Sequence, residues 1–294
     1  MRLDRSTQWT LAHAITVEGV ALHTGEHVRL EIAPAPPDHG IVFHRTDLAG
    51  EPSVAALVEN VVDTTLSTTI ASGLARVQTI EHLMAALWAT GVCNADIFVD
   101  GPELPILDGS SRYFINAVRS AGRLEQGRKR TVVHFDTPLE VSRHDRTVLL
   151  MPNQEQRVEV TCVVDYQHPH AGAMLFEGPV DEDVFCLELA DARTFCFQSD
   201  VEAMRRAGLA RGGTLDNAVI IGDAGPLRPL RFRDEPVRHK VLDLVGDLAL
   251  VGFDWTGTVV AAKAGHPLHV ELAAAMRAWA LSRGLVHATR RGEK

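Results

Sequence analysis

Apolar and polar residues alternate over the first third of the chain. Val28, Leu30 and Ile32 are separated by Arg29 and Glu31, a period of two that predicts a half-exposed strand. PAPPDHG (34–40) breaks the pattern as a turn, and GIVFHRTDL resumes it. Two β-branched runs in LVENVVDTTLSTTIASGLARVQT meet at the turn Ser72–Gly73. The period then lengthens. Residues 80–89 read as a helix with Thr79 as its cap and Gly91 as its stop, and residues 113–122 as a second helix. The polar stretch RLEQGRKR (123–130), with a central glycine, reads as a linker.

Beyond it the pattern begins again. Strands are predicted near 131–141, 146–151 and 157–164, polar helices at 181–190 and 199–207, and a strand at 218–221. A long helix follows at 236–250, then a strand over TGTVVAAKAGH (256–266) and a closing helix at 268–283. The tail ATRRGEK reads as a mobile end. EHLMAALWATGV (81–92) lies over LDLVGDLALVGF (242–253) without a gap, pairing Leu83 with Leu244, Leu87 with Leu248 and Gly91 with Gly252. That register predicts a duplicated unit and sets His82 over Asp243. The expected fold is α+β, in two similar domains that each carry a sheet and a helix layer. Residues 1–126 would hold Glu81 and His82; residues 127–294 would hold His239, Asp243 and His266.

Composition narrows the function. With 294 residues, 46% hydrophobic and 23% charged, the chain has ample material for a core. A net charge of −9 argues against a nucleic-acid surface, which needs a basic field. Cys93, Cys162, Cys186 and Cys196 form no CxxC pair, as expected of reduced thiols in a cytoplasmic protein. No secretory h-region and no apolar run long enough to span a membrane are present, so a soluble protein is expected.

Candidate chemistry concentrates in RHKVLDLVGD (238–247). His239 and Asp243 stand i and i+4 on a helix, stacked on one face, and Asp247 is one turn further. An ordinary amphipathic helix with a His–Asp contact explains this stretch equally well; a metal reading needs ligands from elsewhere. His82 supplies one, giving a His2Asp set with an open position, the layout of catalytic zinc. Glu81 beside it is placed to act as general base. His266, in AGHPLH after Gly265, is either a surface residue at a strand end or an acid steadying an oxyanion, with Asp247 as its orienting carboxylate. In ADARTFCF, Thr194 offers a hydroxyl and Phe195 a stacking face, unless the segment is a plain aromatic core strand. GGTLDNAV (212–219) matches no nucleotide fingerprint, and Asp108 and Ser110 read as turn residues.

Seven segments, GVALHTGE (19–26), RVQTIEHLMAAL (76–87), PELPILDGS (102–110), ARTFCF (192–197), GGTLDNAV (212–219), RHKVLDLVGDLAL (238–250) and AGHPLH (264–269), together resemble one family. They are similar, in content and order, to the UDP-3-O-acyl-N-acetylglucosamine deacetylases, zinc amidases of lipid A synthesis in Gram-negative bacteria. The resemblance implies a single catalytic Zn2+ on His82, His239 and Asp243, with Glu81 activating the water that attacks the acetamide. It implies that His266, oriented by Asp247, stabilises the oxyanion and that the Thr194 hydroxyl contacts the tetrahedral intermediate. Phe195 would lie against the sugar, Lys240 would be a substrate-contacting cation, and Tyr166 would pack on the uracil. The family fold has two α+β domains whose helices face one another across the active site, with an acyl passage around 181–215. The implied partner is a small-molecule acylated UDP-sugar, with no nucleic acid, no integral membrane segment and a cytoplasmic monomer. Two positions depart from the family: Ser67 stands where some members carry a metal-binding cysteine, and Cys196 where a glycine is known. Two other readings compete: a zinc hydrolase of a different acylated sugar, and a non-catalytic nucleotide-sugar binder. The second would be expected to lose one of Glu81, His82, His239, Asp243 or His266, and all five are present.

Overall fold

Alternation in the first half becomes β1 (Thr7–Leu11), β2 (Ile15–Val20), β3 (His27–Pro34), β4 (Ile41–Arg45) and β5 (Ser53–Ala55) in the computed structural model, which describes residues 4–287. Then come β6 (Val61–Asp63), β7 (Thr69–Ser72), β8 (Ala75–Val77), α1 (Glu81–Thr90), β9 (Ala95–Val99), α2 (Arg112–Ala121) and β10 (Arg123–Lys129). The second half runs β11 (Val132–His134), β12 (Leu139–Arg143), β13 (Arg146–Met151), β14 (Val158–Asp165), β15 (Ala173–Pro179) and α3 (Glu182–Val184). It continues with β16 (Phe195–Phe197), α4 (Gln198–Arg206), β17 (Val219–Gly222), β18 (Gly225–Pro226), α5 (Glu235–Leu248), β19 (Asp254–Ala262) and α6 (His266–Ser282). The tail reading at 288–294 lies outside the described residues. Among those residues no helix is long and apolar enough to cross a membrane.

The fold is α+β, and the two halves repeat. One sheet has strand order β2-β3-β9-β4-β5 and the other β12-β13-β19-β14-β15. Along each of these paths one pair is parallel, β4 with β9 and β14 with β19, and the remaining pairs are antiparallel. Each half carries a three-stranded insertion ahead of its central helix: β6-β7-β8 before α1, and β16-β17-β18 before α5. Both helical stretches stop at a left-handed glycine, Gly91 at φ 75° and Gly252 at φ 77°. The repeat read at residues 81–92 and 242–253 is therefore a repeat of topology.

Period two explains the sheet faces. β3 buries Val28, Leu30 and Ile32 and exposes Arg29. Every residue of α1 is buried, as its all-round apolar surface requires, and it packs against both α2 and α5. Leu83, Leu87, Leu244 and Leu248 are among the buried core residues, each contributing about 2 kcal/mol of transfer free energy. The helices approach closely at Gly246, where an added Cβ would lie 2.1 Å from the Glu81 carbonyl oxygen. Only a residue without a side chain fits there, and this contact sets the first turn of α1 on the last turn of α5.

Three local readings change. Thr79 does not cap α1: Ile80 holds that position, while Thr79 sits at φ 59° and donates its hydroxyl to buried Glu103 at 3.0 Å. Residues 123–129 are not a linker but β10, paired antiparallel with β1; most of its side chains are exposed, so its polarity mimics a connector. β19 stops at Ala262, and His266 is the first residue of α6 rather than the end of a strand. Pro267, with φ already suited to a helix and no N–H to satisfy, favours that start.

Candidate active site

His239 and Asp243 lie one turn apart on α5, and the Gly246 crossing brings His82, in the first turn of α1, against them. One ligand atom from each residue falls within 4.8 Å of the others, and all three side chains are buried. The His239 Nδ1–H donates to the Ala192 carbonyl at 3.0 Å, since a carbonyl only accepts. Its Nε2 therefore carries the lone pair, and burial, the largest influence, holds its pKa below the usual imidazole value. That lone pair faces Asp243 Oδ1 at 3.3 Å, and His82 Nε2 lies 3.7 Å from the same oxygen. Burial likewise pushes the His82 pKa down to about 3. Asp243 Oδ2 accepts from the Lys240 ammonium at 2.8 Å, but Oδ1 is buried with no hydrogen-bond partner among the described residues. Burial favours a neutral Asp243, yet His239, Lys240 and His266 hold its pKa far below the ordinary carboxylate range. Two acceptors, His239 Nε2 and Asp243 Oδ1, thus face one another without a donor, with His82 Nε2 beside them. The donor set fits a divalent cation.

Glu81 precedes His82 and is buried, with Oε2 accepting the Thr68 N–H at 3.0 Å. Burial raises its pKa to about 8, against the pull of His266. His266 sits across from it at the start of α6. Its Nδ1–H donates to Asp247 Oδ2 at 2.8 Å, and its Nε2 is 3.9 Å from Asp243 Oδ2. Burial alone would lower this imidazole's pKa, but Asp247, Asp243 and Glu81 raise it to about 9. Within one cluster a carboxyl is pushed up and an imidazole is kept charged near neutral pH, the pattern of an acid–base pair.

The remaining predicted residues line a cavity of about 800 Å3 beside this cluster. Thr194, Phe195, Tyr166 and Lys240 all border it, with Leu22, His23 and Leu66 from the first half opposite. Tyr166 stands edge-on to both Phe195 and Phe197, with ring centres 5.5 and 5.4 Å apart. The Lys240 ammonium is 5.7 Å from the Phe195 ring centre, and desolvation is more than offset by Asp243, so its pKa is raised and it stays charged. The Thr194 backbone is pinned at both ends, N–H to Gly109 and carbonyl to Val219, at 2.8 Å each. Arg193, just before it, is buried in a two-pronged pair with Glu235 at the start of α5 (2.8 and 3.1 Å). This pair fastens the 192–195 segment to the helix that carries His239.

Sequence reasoning left several contributors without a role. Thr68, in a run of threonines, donates its hydroxyl to Asp247 Oδ1 at 2.6 Å. His269, one helical turn after His266, donates Nδ1–H to Asp247 Oδ2 at 2.9 Å. The i, i+3 spacing of the two histidines was a signal for this shared face; nothing local marked Thr68, Gly246 or Glu235.

The chain is similar to known proteins along most of its length. A family model described as UDP-3-O-acyl N-acetylglycosamine deacetylase matches residues 8–278. A protein of Myxococcus xanthus (strain DK1622), named UDP-3-O-acyl-N-acetylglucosamine deacetylase, is 43% identical over 274 residues, covering 92% of this chain and 87% of its own. Proteins of the same name from Citrifermentans bemidjiense and Anaeromyxobacter sp. (strain Fw109-5) are 44% and 45% identical over 267 residues, covering 90% of this chain and 87% and 86% of theirs. By the length of the match and the level of identity, the chain belongs to the UDP-3-O-acyl N-acetylglycosamine deacetylase family.

Proposed function

We propose that this protein is a zinc-dependent amidohydrolase that removes the 2-acetyl group of UDP-3-O-acyl-N-acetylglucosamine, the committed step of lipid A synthesis. The products are acetate and the acylated UDP-glucosamine. The observation that carries the proposal is the orphaned Asp243 Oδ1 facing the two imidazole Nε2 atoms. His82, His239 and Asp243 would hold the ion. When bound, zinc supplies Lewis-acid polarisation of the amide carbonyl and acidifies water toward neutral pH.

The protein's own groups do the rest. Glu81, tethered by the Thr68 N–H, takes the proton of the attacking water. His266, its Nδ1–H committed to Asp247, presents Nε2–H to the developing oxyanion, and the Thr194 hydroxyl adds a second donor. A proton from the Glu81–His266 pair goes to the departing amine. Lys240, Phe195 and Tyr166 border the cavity where the nucleotide sugar would lie, and Leu22, Phe197, Met204 and Ile220 give that cavity an apolar wall suited to an acyl chain. The halves, divided after residue 126, would each contribute part of the site. Activity requires an ionised Glu81 and a protonated His266, so a bell-shaped rate–pH profile is expected. Acetate release measured together with metal content is the test: about one equivalent of zinc should track activity. Full activity after exhaustive chelation would sink the proposal.

A further inference from the structure

We propose that Thr68 and His269 are positioning residues, which lock the Asp247 carboxylate and, through it, hold His266 in one tautomer and one orientation. This rests on the reading of His266 given above. Asp247 is fully buried on α5 and has two oxygens, yet three side-chain donors converge on it. Thr68 reaches Oδ1 from the loop before β7 at 2.6 Å; His266 and His269 both reach Oδ2 from the first turn of α6, at 2.8 and 2.9 Å. A carboxylate only accepts, so each imidazole must carry its proton on Nδ1. Nε2 of His266 is then the atom left to face Asp243 and the reacting groups. The torsion that turns a carboxylate is broad and weakly restrained by itself. Here the donors come from both halves of the molecule and restrain it from two sides.

Thr68 has two further attachments, one of them direct: its hydroxyl oxygen also lies 3.3 Å from His266 Nδ1. Its N–H holds Glu81 Oε2 at 3.0 Å while its hydroxyl holds Asp247, so one residue spaces the base from the carboxylate behind the acid. His269 has no comparable second task at the site. Its ring stands edge-on to that of His266, 6.2 Å away at 74°. The hydrogen-bonded link between the two imidazoles runs through Asp247.

The test uses isosteric pairs in the zinc-loaded protein. Thr68→Val and His269→Leu remove the donors at similar volume, whereas Thr68→Ser and His269→Asn keep an O–H or N–H at the same place. The first two should lose about 10- to 100-fold in kcat with KM and metal content unchanged, as expected when a group supporting an active residue is removed. The second two should rescue most of that loss. In parallel, proton NMR follows the His266 Nδ1–H signal, assigned by its absence in His266→Gln; it should shift or broaden in Thr68→Val and His269→Leu and persist in the rescuing variants. A folded His269→Leu or Thr68→Val with wild-type kcat and an unmoved signal overturns the proposal. Should one of the two fail to fold, the other carries the same test. If His266→Gln deacetylates as fast as wild type, the reading of His266 as catalyst fails; the signal then decides the positioning, and an unmoved signal overturns it.

Discussion

Glu235 and His239 stand one turn apart on α5, both hidden from water, yet their surroundings are opposites. Glu235 receives the Arg193 guanidinium on both oxygens, the Arg193 N–H and the Arg231 N–H, and Arg193 in turn reaches the Pro229 carbonyl. Both carboxylate oxygens are matched. Around His239, by contrast, lone pairs face one another and a carboxylate oxygen has no donor. A buried ion pair with every atom matched fixes backbone geometry; a buried cluster short of one positive centre is built to receive something. A second matched cluster lies around Asp254, which accepts from Arg5, Arg130 and the Trp255 N–H.

The contrast can be broken at either end. The largest effect should come from Glu81→Gln, which lowers deacetylation about 100- to 10,000-fold by removing the base. Its melting temperature should hold near neutral pH and rise above about pH 8, where the wild-type group is a buried carboxylate and the amide stays neutral. Glu235→Ala should do the reverse in kind, costing about 3–5 kcal/mol in denaturant unfolding by stranding the Arg193 charge. Gly246→Ala forces the helices apart against the Glu81 carbonyl. About 1–3 kcal/mol of stability should be lost, and metal affinity by calorimetry should fall because His82 moves away from α5.

Proton linkage gives a smaller and more diagnostic contrast. In the metal-free protein Glu81 has a pKa raised by burial to about 8, and His266 one raised to about 9 by Asp247 once burial is overcome. A raised folded pKa means that the fold holds its proton more tightly than the unfolded chain. The stability from both groups is therefore present at lower pH and lost as pH rises through those values. Melting of chelated protein should fall between about pH 4.5 and 9, the Glu81 share from about 4.5 to 8 and the His266 share from about 6.5 to 9, and Glu81→Gln should flatten the lower part of the slope. Asp254 has the opposite sign. Burial opposes its charge, but Arg5 and Arg130 depress its pKa, so its contribution is present above the ordinary carboxylate range and lost as pH falls below it. Asp254→Asn should remove that acid limb without touching the alkaline one.

Much of the site was legible because its spacing is local. His239, Asp243 and Asp247 share a helix face at intervals readable from the chain, Glu81 and His82 are neighbours, and the alignment of α1 with α5 foretold a meeting. What escaped belongs to contacts between distant segments. Thr68 is one threonine among several until α5 crosses above it, and Gly246 is an unremarked helix glycine until the Glu81 carbonyl lies against it. The β10 strand was misread for a related reason: an exposed strand carries a linker's composition, and only its pairing with β1 tells them apart. His266 was misplaced by four residues of structure, because the apolar run of β19 gives no sign of where pairing stops.

The matching sheets have a consequence for how such a site can arise. A doubled unit that kept its sequence would present the same residue twice at its seam. His82 and Asp243 occupy equivalent places in the two copies, and so do Gly91 and Gly252. The glycines are alike, and each ends its helix. The seam positions differ, an imidazole on one side and a carboxylate on the other, so the site proposed above draws one group from each copy.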